Sequence, residues 1–128
     1  MKYTALIIDD EPIITDSIKS ILEDSQIFKS IVVAKDGIDA CRKIDNQVFQ
    51  FIVVDINMPK LDGIGVIQHI REIDRFDPEI LLISGGFNQK NVQLASKYKV
   101  KHVLAKPFDV KKFVYKLKDI IKDMNEKS

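Results

Sequence analysis

The sequence predicts an α/β domain: a five-stranded parallel sheet with helices packed on both faces. Three observations carry that expectation. Five short runs rich in Ile and Val, Tyr3–Ile8, Ile31–Ala34, Phe51–Val54, Ile80–Ile83 and Val103–Ala105, show little polar alternation, as strands buried on both sides do. Segments with apolar residues at helical spacing separate the runs. No linker, low-complexity tract or internal repeat interrupts this five-fold β-α order, which implies right-handed crossovers.

Taken in order, Tyr3–Ile8 is the first strand. The helix after it carries Ile14, Ile18, Ile21 and Leu22 on one stripe, with Pro12 suited to its opening turn. The run at Ile31–Ala34 is the second strand. Asp36 caps a second helix whose stripe is read as Ile38, Cys41 and Ile44, and after Phe51–Val54 Asp62 caps a third carrying Ile64, Ile67 and Ile70. The fourth strand leads to a helix over Gln89–Tyr98 with only Val92, Ala95 and Tyr98 on its apolar side. So thin a stripe predicts a weakly anchored helix. The fifth helix is the most clearly amphipathic: Val110, Phe113, Val114, Leu117, Ile120, Ile121 and Met124 follow Asp109 as N-cap. The polar residues 125–128 are expected to fray.

At 128 residues the chain fits a single domain spanning 1–128, able to bury about two-thirds of its unfolded surface. Hydrophobic residues at 45%, charged residues at 30% and a net charge of +1 describe an ordinary globular protein with no dominant polyanionic partner. The N-terminus lacks the length and cleavage site of a secretory signal. No run approaches the roughly 18 apolar residues of a membrane span. The lone Cys41 makes no internal disulfide, which agrees with a reducing compartment. The expected location is the cytoplasm, with no membrane insertion.

The run Phe51–Val54 ends in Asp55, and an unpaired carboxylate is costly to bury without a counter-ion or a task. In open α/β sheets, sites form beyond the carboxyl ends of the strands, where strand order reverses. The residues just past each run are Asp9, Asp10 and Glu11 after the first, Asp55 after the third, Ser84, Gly85 and Gly86 after the fourth, and Lys106 and Pro107 after the fifth. If the sheet is of the flavodoxin-like doubly wound type, order 2-1-3-4-5, the first and third strands are neighbours and their acids share a crevice. Crowded carboxylates raise one another's pKa unless a cation intervenes, and an all-oxygen set suits Mg²⁺. With Lys106 as a positive clamp and Ser84 as a small hydroxyl, the parts for phosphoryl transfer to a carboxylate are present.

The combination of "DDE" after strand one, "DINMPKLDG" after strand three, "SGG" after strand four and "KPF" after strand five resembles the receiver domain of bacterial response regulators. The likeness runs from Tyr3 to about Met124. It implies that Asp55 takes a phosphoryl group from a phosphohistidine on a sensor histidine kinase or a histidine phosphotransfer protein. It further implies that Asp9 and Asp10, with Asp55 and the backbone carbonyl of Asn57, hold Mg²⁺, Asp10 more directly than Asp9. Ser84 and Lys106 would contact the phosphoryl group, and the bond before Pro107 is commonly cis in such domains. The chain is then a signalling switch that assists its own phosphorylation and dephosphorylation, not an enzyme in the turnover sense. Its downstream protein target is expected on the face of the fourth helix, fifth strand and fifth helix. No helix-turn-helix follows, so direct nucleic-acid binding is not expected.

Blander readings exist for each part. Asp9 and Asp10 taken alone are acids at a helix start, "NMPKLDG" is a turn sequence, Ser84-Gly85-Gly86 is a strand-to-helix loop, and Lys106 is a surface lysine. All of these falling at one edge of the sheet favours a site. Alternatives are a degenerate receiver acting only as a protein-binding module, a receiver fragment of a larger regulator or hybrid kinase, and a Mg²⁺-dependent phosphohydrolase, whose D-x-D-x-[TV] stretch "DDEPI" lacks. Cys41 reads as a core residue, His69 as solvated and His102 as lacking a metal partner. The lysines of "KYKVK" with Lys111, Lys112, Lys116 and Lys118 read as helix-solvating charges, or as a face for an acidic partner. Two positions depart from the family: Val103 stands where an aromatic is usual, and Lys99 where glycine is common near the end of the fourth helix.

Overall fold

The computed structural model describes residues 2–128. Its elements run β1 (Tyr3–Ile8), α1 (Pro12–Ser25), β2 (Phe28–Ala34), α2 (Gly37–Asn46), β3 (Phe51–Asp55), α3 (Gly63–Glu72), β4 (Glu79–Ser84), α4 (Gln89–Lys97), β5 (His102–Ala105) and α5 (Val110–Lys127). All strands are parallel in the order β2-β1-β3-β4-β5, so the doubly wound expectation holds. The strands lack polar alternation because both faces are covered. Leu6, Ile8, Ile52 and Val54 pack with residues of α2, α3 and α4, while Ala5, Ile7, Phe51 and Val53 pack with α1 and α5.

Side-chain caps open four helices. Asp36, Asp62, Asn88 and Asp109 each accept from the backbone N–H three residues on, satisfying a donor the helix cannot. Pro12 opens α1 without one.

Several expectations need correction. β2 begins three residues early, at Phe28, because Phe28 pairs with Tyr3 and stacks on Phe51, 6.0 Å between ring centroids. On α2 the buried face is Gly37, Ala40 and Ile44, and Ile38 is exposed. A Cβ at position 37 would lie 2.1 Å from the Leu61 carbonyl oxygen, so this smooth face is pressed close and Ile38, about 100° around the helix, is turned outward. On α4, Ala95 is buried with Leu94 and Tyr98 beside it, and Val92 is exposed. Val110, in the first turn of α5, is exposed as well, ahead of the buried Phe113.

Nor is the end of the chain frayed: α5 runs to Lys127. The Tyr3 hydroxyl donates to Asn125 Oδ1 at 2.6 Å, Lys127 pairs with Glu79 and Asp77, and Ser128 Oγ accepts from Lys2. Glu79 is buried, and the ammonium is its compensation.

The end of α4 is also tied, to α3. Gln68 Nε2 donates to the Tyr98 hydroxyl at 2.9 Å, and Arg71 Nε donates to the Tyr98 carbonyl at 2.8 Å. Just beyond, Lys99 has φ 61°, the left-handed conformation that favours glycine after a helix.

Charge is unevenly shared. Residues 89–128, which form α4, β5 and α5, hold eleven lysines against four acids, and the preceding residues hold nine basic side chains against fifteen acids.

Candidate functional site

Where β1 and β3 run side by side, Ile8 pairs with Val54, so the residues that follow, Asp9 and Asp55, emerge together at the carboxyl edge. Both are nearly closed off, at 2% and 3% exposure. Asp55 ends β3 with Gly63 pressed behind it: a Cβ there would sit 2.4 Å from the Asp55 carbonyl oxygen. Only glycine allows α3 to start that close.

Lys106, delivered by β5, reaches across the sheet edge. Its Nζ lies 2.9 Å from Asp9 Oδ2, 3.2 Å from Asp55 Oδ2 and 3.1 Å from Glu11 Oε1. Burial disfavours its charge most, but the bonds to Asp9 and Glu11 and the nearby carboxylate charges outweigh that and raise its pKa. The peptide bond between Lys106 and Pro107 is cis, as the sequence resemblance implied. Asp9 also accepts from the Glu11 N–H at 2.9 Å, and Asp55 Oδ1 from the Asn57 N–H at 3.3 Å.

Asp9, Asp10, Glu11 and Asp55 each present a carboxylate oxygen within 4.8 Å of the others. Asp10 is exposed and contributes from the solvent side. Glu11 is the member that reading strand ends did not assign a role; its signal was its place as the third acid of the run. Burial pushes the Asp55 carboxyl above its ordinary range, and the Asp9 charge pushes it further. Asp9 is likewise raised by burial, against the opposing pull of Lys106. The folded state therefore holds these protons more tightly than the unfolded chain, and stability falls as pH rises from the ordinary carboxylate range toward the raised one. Three acids bonded to one ammonium, with Asp10 beside them, form a hard, all-oxygen donor set with charge to spare, which fits Mg²⁺.

Ser84 is fully buried at the end of β4, its Oγ accepting from the Gly86 N–H and donating to the Gly86 carbonyl, each at 3.1 Å. This turn sets the course of the loop to α4. Neither Gly85 nor Gly86 has any atom within 4 Å of where a Cβ would stand, so the loop has room to move. Beside it, between the loop after β3 and the start of α4, is a cavity of about 620 Å³ lined by Asn57, Lys60, Gln68, Asn88, Lys90 and Leu94 among others.

Val103 is 38% exposed and lines an outer hollow with Phe87, Val92 and Ala95. His102 points elsewhere, as strand alternation requires, but it does have partners: its Nε2 lies 3.0 Å from Asp123 Oδ2 and 3.7 Å from Glu79 Oε1. His69 is not simply solvated, since its Nε2 is 2.7 Å from Asp45 Oδ1. Cys41 is half-buried, and burial pushes its thiol pKa up, which disfavours the thiolate.

No helix among the described residues is long and apolar enough to cross a membrane. The response regulator receiver domain model matches residues 5–118. Over 123 residues the chain is 29% identical to the uncharacterized transcriptional regulatory protein YesN of Bacillus subtilis, covering 95% of this chain but only 33% of that longer protein. It is 31% identical over 115 residues to the probable chemotaxis protein CheY of Rhizobium etli, covering 87% of this chain and 86% of the relative. The CheY-like receiver domain protein of Methanospirillum hungatei superposes with a TM-score of 0.86 at 20% identity, covering 98% of each chain. With its sheet order, its acid cluster and this match over most of its length, the chain belongs to the response regulator receiver domain family.

Proposed function

We propose that Asp55 accepts a phosphoryl group from a phosphohistidine and that the resulting change signals to a protein partner. The observation that carries this is a buried carboxylate at the carboxyl edge whose oxygen lies 3.2 Å from Lys106 Nζ, with Asp9 held by the same ammonium. In the transfer a carboxylate oxygen of Asp55 attacks phosphorus, the P–N bond to the donor imidazole breaks, and that nitrogen takes up a proton. Lys106 offsets negative charge on the phosphoryl oxygens, and the Ser84 hydroxyl leaves Gly86 to donate to one of them. The side chains of Asp9, Asp10 and Asp55 and the backbone carbonyl of Asn57 would hold Mg²⁺. When bound, the ion supplies positive charge that lets an anionic donor approach these acids.

Receiver domains of this family interact with histidine kinases or phosphotransfer proteins; a sensor kinase or histidine phosphotransfer protein is the donor we infer. The chain acts as a cytoplasmic switch that assists its own phosphorylation, with its downstream target on the face of α4, β5 and α5. Valine at 103 is short and stiff at χ1, so output runs through the loop at residues 84–89 and the start of α4, not through rotation of a side chain at 103.

The test is exposure to a small phosphodonor with and without Mg²⁺, read by intact mass. The expected result is a gain of one phosphoryl group that needs Mg²⁺ and vanishes in Asp55→Asn. An equal gain in Asp55→Asn would sink the assignment.

A further inference from the structure

At the opposite edge of the sheet, remote in the fold from Asp55, Glu79 opens β4, His102 opens β5 and Asp123 lies on the last turns of α5. One ligand atom from each falls within 4.8 Å of the other two. We propose that Glu79, His102 and Asp123 form a binding site for a Zn²⁺-class divalent ion, distinct from the acid cluster at the carboxyl edge.

Spacing is the first argument. Bonds of about 2.0–2.1 Å in a tetrahedral arrangement place neighbouring ligand atoms about 3.3 Å apart. The imidazole Nε2 is 3.0 Å from Asp123 Oδ2 and 3.7 Å from Glu79 Oε1, on either side of that value. The third pair, Glu79 and Asp123, presents its ligand atoms within 4.8 Å of each other.

Donor type is the second. An imidazole with two carboxylates suits Zn²⁺, whereas Mg²⁺ prefers the all-oxygen set at Asp9, Asp10 and Asp55. The two edges therefore sort two ions by chemistry.

Preorganisation is the third. Glu79 is 5% exposed and its Oε2 is held by Lys127, leaving Oε1 turned toward His102 as a fixed monodentate ligand. The Lys127 ammonium opposes a nearby cation, and Asp77 Oδ2, 3.1 Å from it, offsets that charge. A cavity of about 410 Å³ opens beside two of the three ligands, Glu79 and His102, and is also lined by the basic side chains Arg71, Lys99, Lys101 and Lys127. Because the ligands come from two strands and a helix, a bound ion would cross-link α5 to the sheet.

The probe is Zn²⁺ titrated into the full chain in excess Mg²⁺, followed by competition with a chromophoric chelator and by nitrogen shifts of the histidine rings. We expect one Zn²⁺ per chain, movement of the His102 signals with those of His69 still, and at least a tenfold loss of affinity in His102→Ala and in Asp123→Asn. Circular dichroism establishes that each variant is folded; should both fail to fold, the wild-type ring shifts decide alone. Absence of Zn²⁺ retention, unmoved His102 signals, or unchanged affinity in the folded variants would overturn the proposal.

Discussion

Helices α4 and α5 flank the edge strand β5 from opposite faces of the sheet, yet they are held by different forces. α5 buries Phe113, Leu117, Ile120 and Met124, whereas α4 buries Ala95 alone. Each large side chain fully buried on α5 contributes about 1.5–3 kcal/mol, and an alanine far less. What fixes α4 is polar and lies at one end: Tyr98 bonded by Gln68 and Arg71. Its other end adjoins the Gly85–Gly86 loop and a cavity. α5 is thus anchored along its length by apolar burial, and α4 chiefly by polar bonds at one end. An element that must respond to a small chemical change has to be held within a few kcal/mol of its alternative position.

The largest test of this contrast is a pair of truncations. Phe113→Ala should cost about 3–5 kcal/mol of global stability, and Leu94→Ala, at a half-buried position on α4, about 1 kcal/mol. Denaturant unfolding measures both, and equal losses would break the comparison. Next is the polar tie. Arg71→Ala should cost about 1–2 kcal/mol, with faster amide exchange through α4 while α5 keeps its protection; uniform acceleration would mean that α4 is not separately anchored.

Lys99 offers a change of opposite sign. A lysine at φ 61° bears strain that glycine avoids, partly offset by the greater freedom of glycine in the unfolded chain. Lys99→Gly should therefore stabilise by about 0.5–1 kcal/mol, seen as a higher unfolding midpoint, and a lower midpoint would contradict that account. The smallest effect concerns the end of α5. Burial opposes the Lys127 charge, but Glu79 and Asp77 prevail and raise its pKa. Because the folded value lies above the unfolded one, this tie is fully present below about pH 10.4 and is lost as pH climbs through the raised value. At 40% side-chain exposure water screens the pair, so the loss should stay below about 1 kcal/mol. Alkaline titration of the α5 C-terminal amides should show them loosening before the rest of the molecule does.

The strands and the site acids were legible in the sequence for one reason: buried parallel strands are unbroken apolar runs, so a charged residue directly after one stands out. Asp55 and Lys106 were readable that way, and the three aspartate caps were readable because Asp36, Asp62 and Asp109 directly precede apolar periodicity. Illegible were contacts between polar groups far apart in the chain. Arg71 with Tyr98, His69 with Asp45, and Tyr3 with Asn125 have no periodic signature, and the last two overturned the expectations of a solvated His69 and a frayed end. Ile38, Val92 and Val110 were misplaced because hydrophobic spacing gives a helix its stripe only to within a residue or so. Small residues such as Gly37 and Ala40 then decide which side is pressed inward.

The uneven sharing of charge makes the molecule strongly polar although it is nearly neutral as a whole. Seen from beyond a Debye length, about 10 Å at 0.1 M salt, it carries almost no field. At lower ionic strength its basic end and its acidic body are felt separately, and the expected outcome is a weak head-to-tail attraction between copies of the chain. Light scattering should then give a negative second virial coefficient in dilute buffer that rises as salt is added, the reverse of a protein kept apart by net charge.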